Sequence, residues 1–277
     1  MSGYIDAHQH VWSLARGDYG WLTPALPALY RDFSLADVAP LHQQADVTAT
    51  VLVQAAPTAA ETRYLLKIAE ASEGFVKGVV GWADLAAPDA IASLRRLSRD
   101  PLLKSVRPML QDEPDAEWIL RDDVARALDA LPRFGLRFDA LIRPGQLPVL
   151  LRMLERHPDL AVVIDHAAKP DIGAGMWAPW TDLMRAAAGS PRVRCKVSGL
   201  VTEAGTGWTI DRLRRYVDFL AEVFGPQRLM WGSDWPVVNL GGTYQSWYAA
   251  TVALTAGWSE VDRAALMGGT ARRFYGM

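Results

Sequence analysis

Short apolar runs rich in Val, Ile and Leu recur along the chain at Tyr4–Ile5, Thr50–Gln54, Val76–Trp82, Leu103–Arg107, Leu136–Ile142, Ala161–Asp165, Val193–Val197 and Leu229–Ser233. Most are continuous rather than alternating, which predicts parallel strands covered on both faces. Between them lie stretches with helical periodicity, around Leu35–Gln44, Glu61–Glu73, Pro88–Ser98, Arg121–Arg133, Gln146–Arg156, Pro179–Ala188, Ile210–Phe224 and Tyr244–Ala256. A last helix is predicted to start at Ser259, where Ser-x-x-Asp262 has the form of a capping box. Eight strand–helix units, about 32 residues from strand to strand, predict a single (β/α)8 barrel over residues 1–277. An open doubly wound sheet would carry a phosphate-binding glycine turn after its first strand. Here that strand runs into His8-Gln-His10, and the one glycine match, Gly173-Ala-Gly-Met-Trp-Ala178, falls in a loop past its strand. The longest irregular stretch, about 11–33, follows the first strand and contains Pro24 and Pro27; loops this long in compact domains tend to be functional.

Composition narrows the class. Of 277 residues, 50% are hydrophobic and 22% charged, enough to bury a full core. The formal net charge of −2 offers no basic field, so neither nucleic acid nor an anionic membrane is an expected partner. No apolar run approaches the ~18 residues of a membrane span. The single cysteine, Cys195, forms no intrachain disulfide and no CxxC motif, and reads as a small buried hydrophobe on a strand. With no basic, apolar leader at the N-terminus, a reducing cytoplasmic setting is the expectation. Two counts stand out: five histidines, so that any cluster uses much of the supply, and eleven tryptophans.

In a barrel the reacting groups sit at the C-terminal ends of strands. Those ends carry Asp6, His8 and His10; Gln54; Trp82 and Asp84; Arg107; Asp139 and Arg143; Asp165, His166 and Lys169; Lys196 and Ser198; and Ser233, Asp234 and Trp235. His8 and His10, two apart on a strand, point the same way. They can meet on a metal ion, on a substrate, or simply in the core. His166 and Asp234 reach the same rim from two other strands, while His42 and His157 fall on helices and read as surface residues. Asp234 suits a metal ligand, a general base or a helix cap. Arg107 suits a carboxylate or carbonyl, or an ion pair inside the barrel. Lys196 suits a substrate or a buried carboxylate, and the acidic stretch Gln111–Asp115 reads as a solvated turn. Seven tryptophans (Trp12, Trp21, Trp82, Trp118, Trp177, Trp208 and Trp235) fall at or just after strand ends and predict a pocket mouth walled by rings. Expected substrate contacts are Gln54, Trp82, Trp12, Lys196 and Trp235. No G-x-S-x-G elbow, P-loop or His-Glu-x-x-His helix is present.

Several stretches together resemble the amidohydrolase superfamily: Ile5-Asp-Ala-His-Gln-His10, Asp165-His166 and Gly232-Ser-Asp-Trp-Pro236. Others narrow the resemblance to its sugar-lactonase branch, of the L-fuconolactonase and L-rhamnonolactonase type: Gly78-Val-Val-Gly-Trp-Ala-Asp84, Gln111-Asp-Glu-Pro114, Cys195-Lys-Val-Ser-Gly-Leu-Val-Thr-Glu203 and Arg228-Leu-Met-Trp-Gly-Ser-Asp-Trp-Pro236. The resemblance implies hydrolysis of an aldonolactone, a small-molecule substrate, with catalytic roles for Asp234, His166, His8, His10 and Arg107. Asp234 would activate water while the histidines and Arg107, or one metal ion, polarise the carbonyl. Many relatives carry a histidine directly after the arginine of the fourth strand; here that place is taken by Pro108-Met109, which leaves the particular sugar open. The resemblance also implies no dinuclear centre: two-metal amidohydrolases bridge their ions with a modified lysine or a carboxylate from the fourth strand and add a histidine from the fifth, whereas here the fourth strand ends in Arg107 and the fifth has no histidine. One zinc-like divalent ion on His8, His10 and Asp234, with or without His166, and a metal-free site both remain open, as does the oligomeric state. Two other readings fit the same barrel: a metal-dependent decarboxylase of an aromatic or unsaturated acid, and a barrel that binds a sugar acid without turnover.

Overall fold

Eight strands form one parallel sheet whose neighbours follow chain order: β1 (Tyr4–Gln9), β2 (Val47–Val53), β3 (Val76–Gly81), β4 (Leu103–Val106), β5 (Arg137–Ala140), β6 (Val162–Ile164), β7 (Val193–Val197) and β8 (Leu229–Trp231). They are seen in a computed structural model that describes residues 3–277. The seam between first and last strand is closed just past β8, where Asp234 N–H donates to the His8 carbonyl and His10 N–H to the Trp235 carbonyl, both at 2.8 Å. The (β/α)8 barrel expected from the apolar runs is therefore the architecture found. Among the described residues no helix is long and apolar enough to cross a membrane.

The helices that connect the strands are α1 (Leu35–Gln44), α2 (Ala59–Ala71), α3 (Ala90–Leu97), α4 (Asp122–Ala130), α5 (Leu147–Arg156), α6 (Trp180–Ala188), α7 (Leu200–Ala204), α8 (Ile210–Phe224) and α9 (Tyr244–Leu254). Their starts reflect local chemistry. Thr58 and Thr209 accept from the N–H groups of Glu61 and Arg212 and so cap α2 and α8. The expected cap at Ser259 forms, its hydroxyl accepting from Asp262 N–H at 3.1 Å to open α10 (Glu260–Ala264). The periodicity gave no sign of the wide turn at Ala265–Gly269 or of α11 (Thr270–Tyr275) beyond it. Gly268 (φ +155°) makes this turn possible, and a Cβ there would lie 3.1 Å from the Ile5 nitrogen. The turn carries α11 against the inner apolar cluster of Ile5, Ala7, Val51, Val53, Val163 and Met230, where Phe274 and Tyr275 complete the packing.

Two expectations for histidines are corrected. His42 and His157 are buried rather than on the surface. His157 pairs with Asp129 at 2.7 Å, and His42 lies 3.6 Å from the Asp6 carboxylate while packing beside Phe75 and Tyr244. Asp6 accepts the N–H groups of His8 and Ser233, tying β1 to the segment after β8. A register shift in β1 between Asp6 and Gln9 interrupts simple alternation. Asp6 can thus meet α1 while His8 meets groups on β6 and β7. Cys195 is buried as expected, and burial pushes its thiol pKa up.

Candidate active site

The polar interior starts from charges that the strands themselves bury. Lys196 on β7 is fully enclosed, its ammonium 2.6 Å from Asp139, 3.0 Å from Asp165 and 3.1 Å from His8 Nδ1. Tyr275 from α11 donates to the same Asp139 carboxylate at 2.7 Å. Arg107 reaches Asp165 at 3.2 Å and also donates to the Gln54 carbonyl. Burial opposes ionisation of Asp165, yet Lys196, His8 and Arg107 together hold its carboxyl well below the usual range. Asp139 moves the other way, raised by burial and by the neighbouring Asp165 charge against the pull of Lys196.

Above this layer four groups converge. His8 Nε2 and His10 Nε2 lie 3.2 Å apart, and Asp234 Oδ1 is 3.6 Å from the first and 3.4 Å from the second. His166 Nε2 is 3.9 Å from the same oxygen. His10 Nδ1 donates to the Val53 carbonyl at 2.8 Å, which leaves Nε2 with its lone pair toward the cluster. His166 Nδ1 bonds to the Ser198 hydroxyl at 2.8 Å. Burial holds the pKa of His8 well below its ordinary value, reinforced by the charge of Lys196, and pushes that of His166 down to about 4. Burial also opposes the Asp234 charge. That penalty is outweighed by the nearby His166, His10 and His8, so the carboxyl sits below the ordinary carboxylate range. The outcome is a buried carboxylate, ionised at neutral pH, beside two imidazoles held neutral.

Backbone strain is concentrated at this point. His166, Ala167, Ala168 and Lys169 are four consecutive non-glycine residues with φ between +52° and +59°, and Asp234 has φ +56°. Left-handed backbone costs such residues roughly 1–2 kcal/mol each and is found chiefly where a site requires it. The left-handed turn after β6 aims both His166 and Lys169 into one cavity. Gly199 (φ +67°) sits behind His166, where a Cβ would come within 2.7 Å of its Nδ1.

The cluster opens into a cavity of about 280 Å³ bordered by His10, Arg107, His166, Lys169, Asp234 and Trp21. Trp21 and Leu26 come from the long segment after β1. That segment is pinned by the Trp12–Phe33 bridge, by Thr58 donating to Asp18 at 3.0 Å, and by Trp21 Nε1 donating to the Ala55 carbonyl at 2.8 Å. The Ala55–Ala56 turn is itself held by the buried Glu61 carboxylate, which accepts both N–H groups and whose pKa burial pushes up to about 7.

Several expected substrate contacts are placed elsewhere. Trp12 is buried, donates to the Arg31 carbonyl and packs edge-on against Phe33, and Trp235 also packs edge-on with that ring. Trp82 borders a neighbouring hollow of about 340 Å³ that shares Met109 and Asp112 with the main cavity. Gln54 is buried under the cavity, donating to the Arg107 carbonyl at 2.7 Å and reaching the Met109 sulfur at 3.2 Å. Lys196 lies in the enclosed charge layer rather than on the cavity wall. Of the seven tryptophans expected at the mouth, Trp21 alone borders this cavity among the described residues. Gln111 and Asp112, expected as a solvated turn, border it as well, as do Met109 and Lys169. Lys169 was visible three positions past His166, but its spacing alone said nothing about where its ammonium would lie.

The donor set fits a single metal ion. Tetrahedral zinc with ligands at about 2.0–2.1 Å needs neighbouring ligand atoms roughly 3.3–3.4 Å apart, and the His8–His10–Asp234 triangle has edges of 3.2, 3.4 and 3.6 Å. The lone pair of His10 Nε2 is already turned inward. With the Lys196 ammonium donating to its Nδ1, His8 carries its proton on Nε2, so an ion binding there would release that proton.

The amidohydrolase family model matches residues 5–277. An L-fucono-1,5-lactonase of Burkholderia ambifaria is 44% identical over 279 residues, covering 99% of this chain and 96% of the relative. An L-fucono-1,5-lactonase of Burkholderia multivorans is 36% identical over 289 residues, again covering 99% and 96%. The crystal structure of a B. multivorans amidohydrolase with bound zinc superposes with a TM-score of 0.93 at 35% identity, covering 99% of both chains.

Proposed function

The chain belongs to the amidohydrolase family, and from that premise we propose that it hydrolyses a sugar 1,5-lactone, with L-fucono-1,5-lactone as the substrate to test first. The observation that carries this reading is the buried Asp234 carboxylate, ringed by His8, His10 and His166 at the floor of a cavity sized for one small molecule. Both relatives at 36% identity or more are lactonases, which favours this reaction over decarboxylation on the same barrel.

In this reading the lactone lies in the cavity with its carbonyl toward Arg107 and His166. Water held beside Asp234 loses a proton to that carboxylate and attacks the carbonyl carbon. A carboxylate held below its ordinary pKa is a weak base. Fixing the water within hydrogen-bond reach offsets that weakness, because positioned groups react as though at very high local concentration. With Ser198 donating to His166 Nδ1, the proton of that ring is on Nε2 and serves as a donor to the developing oxyanion. Arg107 adds the N–H groups left over from Asp165 and Gln54. Preorganised donors of this kind are worth about 3 kcal/mol each in the transition state. Protonated Asp234 then returns its proton to the departing ring oxygen. A divalent ion held by His8, His10 and Asp234 would supply Lewis-acid polarisation of the carbonyl.

A pH-indicator screen of aldonolactones, with and without chelator, tests the proposal. Acid release from L-fucono-1,5-lactone or a close analogue is the expected result. No acid from any lactone, with carbon dioxide released from aromatic acids instead, would transfer the assignment to a decarboxylase. Binding of lactone without acid release would leave a sugar-acid-binding barrel.

A further inference from the structure

Lys196, Arg107 and Lys169 all approach the site, and the first two are already committed. Lys196 is shared between Asp139, Asp165 and His8 in the enclosed layer, and Arg107 is paired to Asp165. Lys169 differs. It borders the cavity together with Asp234 and His166, and among the described residues no carboxylate oxygen lies within 4.0 Å of its ammonium. The charges of Glu203, Asp234, Arg107 and Arg143 all act on it, and no single ion pair accounts for its position. The left-handed run from His166 to Lys169 is the backbone device that places it there, with Lys169 N–H closing on the His166 carbonyl at 2.8 Å. A partly enclosed, unpaired cation facing a substrate cavity favours whichever bound species carries negative charge.

We propose that Lys169 is a further catalytic residue, whose ammonium binds the carbonyl oxygen that becomes negative when water adds to the lactone and then the carboxylate of the product acid. This rests on the lactonase reading and deepens it. The neutral lactone carries no full charge for the ammonium to bind, whereas the product acid does. Lys169 therefore contributes little to substrate binding and much to turnover and to product affinity.

The test uses the full chain and the variants Lys169→Met, Lys169→Gln and Lys169→Arg, each measured with and without chelator. Calorimetry measures binding of L-fuconate and of the uncharged L-fucitol, and kinetics on the lactone separate kcat from KM. A charge-assisted hydrogen bond predicts that Lys169→Met weakens fuconate binding about 10- to 100-fold. Fucitol binding should hold, kcat should fall at least about tenfold, KM should stay within about threefold, and Lys169→Arg should recover part of the loss. The proposal is overturned if fuconate and fucitol binding fall together, which marks a structural role, or if fuconate binding and kcat both survive in Lys169→Met and Lys169→Gln. A wild-type protein that binds fuconate through Lys169 but hydrolyses no lactone would sink the lactonase reading and leave the anion site standing. A wild-type protein that hydrolyses lactone with no dependence on Lys169 would do the reverse.

Discussion

Lys196→Met is the most informative change to the interior. The ammonium is fully buried and lies within 3.1 Å of Asp139, Asp165 and His8. Methionine fills nearly the same volume, so the perturbation is the charge rather than a cavity. Without Lys196, Asp165 keeps Arg107, but Asp139 keeps the Tyr275 hydroxyl and no cation. Breaking a buried ion pair from one side typically costs about 3–5 kcal/mol, because a desolvated charge is left uncompensated. With an unfolding entropy of about 2.1 cal/mol/K per residue, a chain of this size should lose roughly 5–9 °C in Tm. Thermal melts and urea titrations of wild type and variant measure the loss. Asp139→Asn in the Lys196→Met background removes the stranded charge and should recover part of it, so the two changes are non-additive. A Tm within about 1 °C of wild type, or strict additivity in the double variant, would refute the view that this layer is an interdependent charge network.

Two further predictions concern the histidines. Gly232→Ala should lower both stability, by about 1–3 kcal/mol, and kcat. Its Cβ would lie 2.6 Å from the His8 Cβ and 3.0 Å from the His8 nitrogen, so His8 must move; unchanged Tm and turnover would show that β1 yields freely. His166 titrates at about 4 in the folded protein, against roughly 6.5 when unfolded. Between those values the unfolded chain holds the extra proton, so stability present above pH 6.5 is lost as pH falls toward 4. Wild type should therefore lose about 2–3 kcal/mol more than His166→Asn between pH 7 and 4.5, in urea titrations with chelator present; parallel losses would contradict a neutral buried His166.

How much of this was legible in the sequence depended on whether the signal was local. Apolar runs and caps are local, and the eight strands and the Ser259 cap appear where the pattern put them. The convergence of His8, His10, His166 and Asp234 was legible because a parallel barrel brings all its strand ends to one rim. A strand end fixes height on the barrel, however, not the partner of the side chain. Trp12 was expected at the mouth, but it pairs with Phe33 across the long loop and turns into the core. Lys196 meets Asp139, 57 positions away, and His8, 188 positions away, which no periodicity can register. Gln111 and Asp112 looked solvated by composition, and Asp112 is exposed; that both also border the cavity depends on contacts between distant strands' loops, which composition does not register. The left-handed turn at His166–Lys169 was hidden for a related reason. None of its residues is glycine, the usual mark of such backbone, so only the tertiary structure reveals the strain.

Activation of water by Asp234 is tested by the hydrolysis of L-fucono-1,5-lactone by wild type and Asp234→Asn. The side chains are nearly isosteric, so circular dichroism and Tm should be preserved to within a few degrees. Removal of a positioned general base should lower kcat by about 10²–10⁴-fold. A variant that folds and retains wild-type kcat would mean that Asp234 is not the base that activates the water.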